Sequence, residues 1–427
     1  MIGAVFELVT RAGHPDFLDL PFDEPLADWS IPELCEVARG ISRHVVRFVD
    51  MGGSVYALKE IPEHLATHEY DLLRKLEDRG LPVVEAVGVV TRDQLNAILF
   101  TRHLAYSLPY RYLFRGRPSP VLRARLLDAM ALLMVRLHLE GFFWGDCSLS
   151  NTLFRRDAGA LTAHLVDAET GRLGDQISDG QRGWDLEIAT ENCAGELLDL
   201  HAGGRIRDEI DPLEILEQFT SRYESLWVDL NSAEVFAPGD RYRINARLQR
   251  LNELGFDIEE YSIRPAGDGN RLKLIPRIVE VGHHRRQLQQ LTGLEVGENQ
   301  ARRLLNDIES RRAEMEAQNA NGKRVPDALV AYHWLTDVYA PTIEAVPAEF
   351  RNRLDDAEIY HQILEHRWYL SESAGHDVGL DLATASYVDT VLAHRPEEVA
   401  LLPAPDDTGS LSTDHGSIDH TGLSIAP

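Results

Sequence analysis

The sequence predicts an α+β protein in which short strands and two capped helices come first and a mainly helical C-terminal domain follows. Three observations carry that reading: three strand-like runs between residues 34 and 60, a helix after residue 119 that is apolar on every side, and a helical pattern downstream of Trp184.

In chain order, ELCEVARG, VVRFVDM and SVYALKEI read as a β-meander, joined by Gly40-Ile41-Ser42-Arg43-His44 and by a Gly52-Gly53 turn. Pro62 opens a helix, HLATHEYDLLRKLEDR, which stops at Gly80 with Pro82 just beyond. VVEAVGVV and NAILFTRH follow as strands. Ser119-Pro120 caps and starts a long helix to about Glu140, with Gly141 after it. Its stretch from Ala129 to Val135 belongs inside the fold, because no face of it is polar. A compact loop, FFWGDCSLSN, leads into a hairpin of TLFRRD and LTAHLVDAE about Ala158-Gly159. Further on, EEYSIRPAGDGNRLKLIPRI reads as a strand pair turning at Gly267-Asp268-Gly269-Asn270. After Leu401 the chain has four carboxylates, no Lys or Arg, and the composition of a disordered tail.

The 427 residues include 43 Lys+Arg against 69 Asp+Glu, a formal net charge of −26. Binding along duplex nucleic acid or anionic membrane rests on releasing counterions to a basic face, so this balance argues against both as partners of the whole surface. Cys35, Cys147 and Cys193 are far apart and suggest neither a disulfide framework nor a zinc site, which fits a reducing cytoplasm. The opening MIGAVFELVTRAG lacks the pattern of a secretory signal, and no apolar run reaches the ~18 residues that would span a bilayer. Four lysines stand beside thirty-nine arginines, which makes the place of each lysine informative.

One series of residues carries chemistry. Glu69 lies four residues after Leu65 and three, four and seven before Leu72, Leu73 and Leu76, on the apolar stripe of its helix. A carboxylate facing a core needs a cation, and Lys59, at the end of a strand in the same region, is the nearest candidate; the bland alternative is a Glu at the margin of the stripe. Asp146 and Asn151, five residues apart, have the spacing of a loop that offers a carboxylate to a hydroxyl nucleophile and an amide oxygen to Mg²⁺. Sixteen residues beyond Asn151, Asp167 ends an apolar strand, and the hairpin brings the two to the same end, where they can share a metal ion that bridges phosphates. Singly, each is a common turn or cap residue.

The sequence here resembles the protein-kinase-like superfamily, over about residues 34–200. VYALK matches the strand with the phosphate-binding lysine (Lys59), HEYDLL the helix with its partner glutamate (Glu69), GDCSLSN the catalytic loop (Asp146, Asn151) and LVDAE the metal aspartate (Asp167). Within that superfamily it is most similar to bacterial lipopolysaccharide-core (Kdo) kinases and RIO-like kinases, which share the Gly-Asp catalytic loop and a short activation segment. Only seventeen residues lead from Asp167 to Trp184, with no A-P-E signature between. The later segments HWLTDVYAP and ILEHRWYLSE resemble a domain family of unknown function found after such cores in high-GC Gram-positive bacteria.

The resemblance implies a two-lobed protein-kinase-like fold: an N-lobe over residues 1–102, a C-lobe over 103–235, the mainly α-helical domain over 236–400 and the acidic tail over 401–427. It implies ATP and Mg²⁺ as cofactors, with Lys59, held by Glu69, on the α/β-phosphates, Asn151 and Asp167 on the metal, and Asp146 as base toward an acceptor hydroxyl of a protein, sugar or lipid-linked molecule. Gly40 and Ser42 would line the phosphate loop, and the linker Arg102, His103, Leu104 would meet adenine through its backbone. Asp185 would open a helix that braces the catalytic loop, with a plain helix cap as the equal alternative.

The sequence also departs from the family's pattern. The phosphate loop has one glycine where two or three are usual, and Ser42, Arg43 and His44 are the groups that can compensate. Trp144 stands where the catalytic loop usually has histidine, Ser148 where protein kinases have a lysine, and Ala168-Glu169 where Phe-Gly follows the metal aspartate. A pseudokinase scaffold is therefore the alternative reading. A DNA-binding regulator is a third, resting on residues 271–313, whose nine Lys+Arg and five Asp+Glu include RRQLQQLTGLEVGENQARRLLNDI, a helix, Thr-Gly turn and helix. An ordinary helical hairpin with its arginines paired to acids accounts for that segment better. Glu358, His361 and Glu365 share a helical face, but with no second Glu-x-x-His they read as packed or solvated residues and not as a metal site. Cys147 reads as buried filler.

Overall fold

The computed structural model describes residues 6–37, 43–113, 119–204, 211–231, 234–236, 256–257, 260–266, 271–277, 280–318 and 324–395. They divide into two compact units, one of residues up to 155 with 163–224, the other of residues 156–162 with 225–399. Gly40, Ser42, the turn at 267–270 and the acidic tail lie outside the described residues.

The first unit begins with a six-stranded antiparallel sheet in the order β1 (Phe6–Thr10), β5 (Ala86–Arg92), β6 (Leu95–Arg102), β4 (Ser54–Ile61), β3 (Val45–Met51) and β2 (Leu34–Cys35). Strand β4 is central, and its side chains alternate between faces. Tyr56 and Leu58 join a buried layer with Val49, Val87, Val90, Ile98 and Phe100. Phe17, Leu20, Phe22, Leu26 and Trp29, from the segment between β1 and β2, cover that layer. The strand β1 and this aromatic cover went unread in the sequence, because single aromatics in a loop carry no period. Lys59 belongs to the other set of β4 side chains, and helix α1 (Glu63–Asp78) packs on β4, β5 and β6 with Ala66, Glu69, Leu72, Leu73 and Leu76 buried. Pro62 stands at its N-cap, and Gly80 follows its C-cap with φ +76°.

After the short strand β7 (Ser107–Pro109) and the turn of helix α2 (Tyr110–Leu113), helix α3 (Pro120–Leu139) starts at Ser119, whose hydroxyl accepts from the Leu122 N–H. Residues 129–138 are buried apart from Leu132, as a helix without a polar face requires. Gly141 then turns the chain at φ +78°; a Cβ there would meet the Gly174 carbonyl oxygen at 2.4 Å. That close approach lets β8 (Phe142–Phe143) pair with β11 (Arg172–Leu173) beneath the loop of Asp146. Strands β9 (Thr152–Asp157) and β10 (Ala160–Leu165) form the hairpin, turning at Ala158 and Gly159, both at positive φ. Helix α4 (Asp179–Ala202) opens on a capping box of Ser178 and Gln181, and α5 (Pro212–Asn231) follows.

The second unit contains strands β12 (Glu234–Phe236), β14 (Glu260–Ala266) and β15 (Arg271–Arg277), with a two-stranded pair of β13 (Phe256–Asp257) and β16 (Glu280–Val281). Helices α6 (His283–Thr292), α7 (Glu298–Gln318), α8 (Asp327–Trp334), α9 (Ala340–Glu344), α10 (Asp356–Ala374) and α11 (Leu380–Thr390) follow. Their core centres on Trp334, Tyr339 and Tyr360, and the Asp307 carboxylate accepts from Trp334 Nε1 at 2.6 Å and from the Tyr360 hydroxyl at 2.7 Å. The helix, Thr-Gly turn and helix of the basic segment are α6, Gly293 at φ +78° and α7. Arg312 of α7 pairs with Asp327 at 2.6 Å and Glu309 at 3.1 Å, and Arg311 with Glu314 at 2.9 Å, so two of its arginines are spent on acids.

Asp157, at the hairpin tip, is buried within the second unit and accepts from the N–H groups of Asn299 at 3.1 Å and Gln300 at 2.8 Å, in the first turn of α7. The side chain of Thr162 donates to it as well, at 3.0 Å. Glu358 accepts from the Ala158 N–H at 2.9 Å and from Gln300 Nε2 at 3.1 Å, which makes it a packed polar residue. Asp157→Ala should leave those amides unsatisfied and cost about 2–3 kcal/mol. Hydrogen exchange checks this: protection of the Asn299 and Gln300 amides should fall in the variant while that of β5 and β6 is kept.

Candidate active site

Sheet register fixes the lysine first. Lys59 pairs with Val46 on β3 and Leu99 on β6, so its backbone is held from both sides and its side chain can only rise from the face that α1 covers. There Nζ stands 2.9 Å from Glu69 Oε2, 2.6 Å from Asp167 Oδ2 and 3.0 Å from Glu169 Oε2. Burial works against the ammonium, yet Glu69 and Asp167 together raise its pKa above that of an ordinary lysine. Glu69 is fully buried, and burial, with Asp167 close by, pushes its pKa up to about 8. Its second oxygen accepts from the Ala168 N–H at 3.1 Å, so the helix carboxylate holds both the lysine and the segment after Asp167.

Glu169, which in sequence is only a departure from the family's pattern, belongs to the same cluster. Its side chain is 6 % exposed, and besides Lys59 it binds Arg43 Nη2 at 2.6 Å and His44 Nε2 at 3.1 Å. Burial opposes its charge, but Lys59 and the hydrogen bond from His44 carry its pKa down to about 2. The available signal was a carboxylate two residues after a metal-type aspartate, in a chain with so few lysines.

Helix α4 holds the loop of Asp146. Asp185 Oδ2 accepts from the Trp144 N–H at 2.7 Å and lies 3.1 Å from His138 Nε2, while Oδ1 accepts from the Gly145 N–H at 2.8 Å. Glu196 accepts from the Leu149 N–H at 2.7 Å and the Ser150 N–H at 3.1 Å, and Asn192 Nδ2 donates to Asp146 Oδ1 at 3.1 Å. Residues 185, 192 and 196 are seven and four apart, one face of one helix. The expectation that Asp185 opens the helix is corrected: Ser178 does, because it can close a capping box with Gln181, and Asp185 sits two turns inside, buried under the loop it braces. Asn192 and Glu196 went unread, since polar residues on a helix have no signature until their face is known.

Asp146 is half-buried and burial raises its pKa, while Arg43 opposes the rise. Its Oδ2 accepts from Arg43 at 3.2 Å and from Asn151 Nδ2 at 3.3 Å. Asn151 also donates to the Asp146 carbonyl at 3.0 Å, which leaves its Oδ1 without a donor among the described residues. Backbone pairing of the Val166 N–H with Asn151 O at 3.0 Å brings the Asn151 and Asp167 positions to one end of the hairpin, although the two side chains make no hydrogen bond with each other. Trp144 donates from Nε1 to Asp167 O at 2.8 Å, so this ring ties the loop of Asp146 to Asp167. Ser148 is buried and its hydroxyl accepts from the Asn151 N–H, a turn-forming part with no cation to offer. Cys147 is free and buried.

At the linker the adenine expectation narrows. The N–H of Arg102 is donated to Glu85 O and that of His103 to Val55 O, each at 2.9 Å, because the sheet ladder runs past the end of β6. Of the three residues, Leu104 alone keeps an N–H for a base, among the described residues. His103 meets the edge of Phe48, ring centroids 5.7 Å apart.

The donor set suits a metal-bound polyphosphate. Asp167, Glu169 and the open Asn151 Oδ1 are hard oxygens of the kind Mg²⁺ takes, and oxygens of Glu69, Asp167 and Glu169 lie within 4.8 Å of one another. Lys59 and Arg43 supply positive charge beside them, and His44 Nε2 lies 3.1 Å from Glu169.

Such an assembly, with a lysine in a central strand, its helix glutamate, an Asp-containing loop and a hairpin aspartate, is kinase-like. Residues 50–187 match the model of the Lipopolysaccharide kinase (Kdo/WaaP) family, and residues 225–392 match Domain of unknown function (DUF4032). The chain thus joins a region that matches the Kdo/WaaP kinase family model to one that matches the model of a domain of unknown function. Among solved structures it is similar to one described as "WaaP in complex with acyl carrier protein", at 18 % identity and TM-score 0.34, over 52 % of this chain and 88 % of that one. It is also similar to the "Crystal structure of BubR1 kinase domain", at 13 % identity and TM-score 0.28, over 36 % and 52 %. No curated protein matches the chain. Among the described residues no helix is long and apolar enough to cross a membrane.

Burial lowers the pKa of His103 to about 4, against about 6.5 for a free histidine. Between those values the unfolded chain binds the proton and the folded one does not, so this residue's contribution to stability is complete above pH ~6.5 and is lost as pH falls toward ~4. In an NMR titration the His103 imidazole should stay neutral until pH nears ~4; a midpoint near 6.5 would contradict its burial.

Proposed function

We propose that this protein is a Mg²⁺- and ATP-dependent phosphotransferase that moves the γ-phosphate to a hydroxyl of a protein, sugar or lipid-linked acceptor. The observation that carries the proposal is the Lys59 ammonium held between Glu69 at 2.9 Å and Asp167 at 2.6 Å, residues ten and 108 positions away in sequence. A buried lysine with two carboxylates is costly as a mere structural device, since hydrophobic packing does as well, and its worth lies in presenting a fixed positive charge. The cytoplasm, where ATP is plentiful and thiols stay reduced, is the proposed compartment. Duplex DNA is not the proposed partner of residues 271–313.

In this reading Lys59 neutralises the α/β-phosphates, and Glu69 keeps it in place. Asp167 and Asn151 hold Mg²⁺, which when bound with the nucleotide supplies charge compensation at the transferring phosphate. The Leu104 N–H meets adenine, with the neutral His103 ring beside it. Asp146, aimed by Asn192, orients the acceptor hydroxyl and takes its proton as the oxygen attacks. Trp144 and Asp185 keep that loop rigid, so the base does not drift from the metal aspartate.

The experiment is transfer of labelled γ-phosphate from ATP with Mg²⁺ to acceptors in a cell extract. Lys59→Met and Asp167→Asn should lower the rate by about 10²–10³-fold, and Asp146→Asn by about 10²–10⁴-fold. Thermal stabilisation by ATP with no transfer from any form would instead assign a nucleotide-binding scaffold.

A further inference from the structure

We propose that Glu169 is an internal stand-in for nucleotide phosphate. It gathers Lys59, Arg43 and His44 onto one carboxylate and releases them only when a divalent cation takes up its charge, so that the site accepts a metal-bound polyphosphate and rejects the metal-free anion. This deepens the nucleotide reading of the same site and rests on it.

The geometry is that of an anion site already filled. Glu169 Oε1 accepts from Arg43 at 2.6 Å, and Oε2 accepts from Lys59 at 3.0 Å with His44 Nε2 3.1 Å away. Among the described residues a polyphosphate recognised here finds its positive charge in this same set, because the other charged groups at the cluster, Glu69, Asp167 and Asp146, are carboxylates. Metal-free nucleotide would bring its negative charges against these carboxylates while competing with Glu169 for every cation. Like charges at such separations in a partly buried site repel strongly. Asp167 and Glu169 supply oxygens to which a divalent ion can bind, and once their charge is matched the cations are free to turn to phosphate. Arg43 is also the group that closes Asp146, at 3.2 Å, so its transfer to phosphate would uncover the base in the same step. Arg43 is 61 % exposed, as a side chain that must move should be.

Isothermal titration of the full-length protein with ATP, in Mg²⁺ and in EDTA, tests this. Wild type should bind ATP with Mg²⁺ at least about 30-fold more tightly than without, and Glu169→Gln should tighten metal-free binding about tenfold or more, shrinking the metal dependence. Arg43→Ala, which alters an exposed side chain, should weaken binding with Mg²⁺ about tenfold. Unchanged or weaker metal-free binding by a Glu169→Gln protein that melts as wild type does would overturn the inference. Should that variant fold poorly, binding by Arg43→Ala equal to wild type overturns it instead. Lys59→Met separates the two levels: if it loses Mg²⁺-ATP binding while Glu169→Gln matches wild type, the nucleotide reading stands and the role of Glu169 falls. A folded wild type that binds no ATP in either condition overturns both.

Discussion

The site depends on one buried ammonium among carboxylates. Lys59 leaves water for a position where Glu69, Asp167 and Glu169 all come within 3.0 Å of Nζ. A single positive charge cannot balance three negative ones, and desolvation makes the imbalance harder to bear than it is in water. Arg43 makes up part of the deficit by reaching Glu169, and the rest shows in the raised pKa of Glu69. A cluster so arranged is stable enough to form and still short of positive charge. That shortage would favour a divalent cation at the cluster, on electrostatic grounds alone.

Around this centre the first unit divides its labour by element type. The sheet and α1 place the cationic side: register sets Lys59, and the apolar stripe of α1 sets Glu69. The helical part places Asp146, where one face of α4 reaches the loop backbone through Asp185 and Glu196 and the Asp146 carboxylate through Asn192. Hydrogen bonds from backbone N–H groups to carboxylates of this kind are worth about 1.5–3 kcal/mol each, enough to keep a loop in one conformation. Trp144 and Arg43 then cross between the sides, one through a ring nitrogen to Asp167 O and one through its guanidinium to Asp146 and Glu169. The ring is buried and fixed, whereas the guanidinium is exposed and free to exchange partners.

Much of this was legible because it followed periods and caps. The i, i+3, i+4 and i+7 relation of Glu69 to leucines gave its direction, Ser119-Pro120 and Gly141 bounded α3, and Ala158-Gly159 gave the hairpin that brings Asn151 and Val166 together. What escaped the reading lacked a local pattern. The aromatic cover of Phe17, Phe22 and Trp29 lies in a loop with no repeat, and Asn192 and Glu196 look like any polar residues on a helix. Asp185 was recognised as a brace but misplaced as a cap, because an aspartate after tryptophan resembles a helix start, while the stronger Ser178–Gln181 capping box lay seven residues earlier. The linker expectation narrows for a related reason: sequence cannot say how far a ladder continues past a strand's last residue, and here the N–H groups of Arg102 and His103 are used by the sheet.

The departures from the family's pattern make sense together. A glycine-rich loop binds phosphate with backbone N–H groups, which are neutral and need no counter-charge when the ligand is gone. This chain has a single glycine, Gly40, in that segment, and Arg43 and His44 follow it. Charged side chains are stronger anion donors than amides, but left without a ligand beside a buried lysine they would repel it and one another. A resident carboxylate at the position after Ala168 meets that need, and Glu169 touches Lys59, Arg43 and His44. The substitution of glutamate where glycine is usual is therefore the counterpart of the missing loop glycines. In the proposed nucleotide site one change calls for the other on electrostatic grounds, and together they leave Asp146, Asn151 and Asp167 in place.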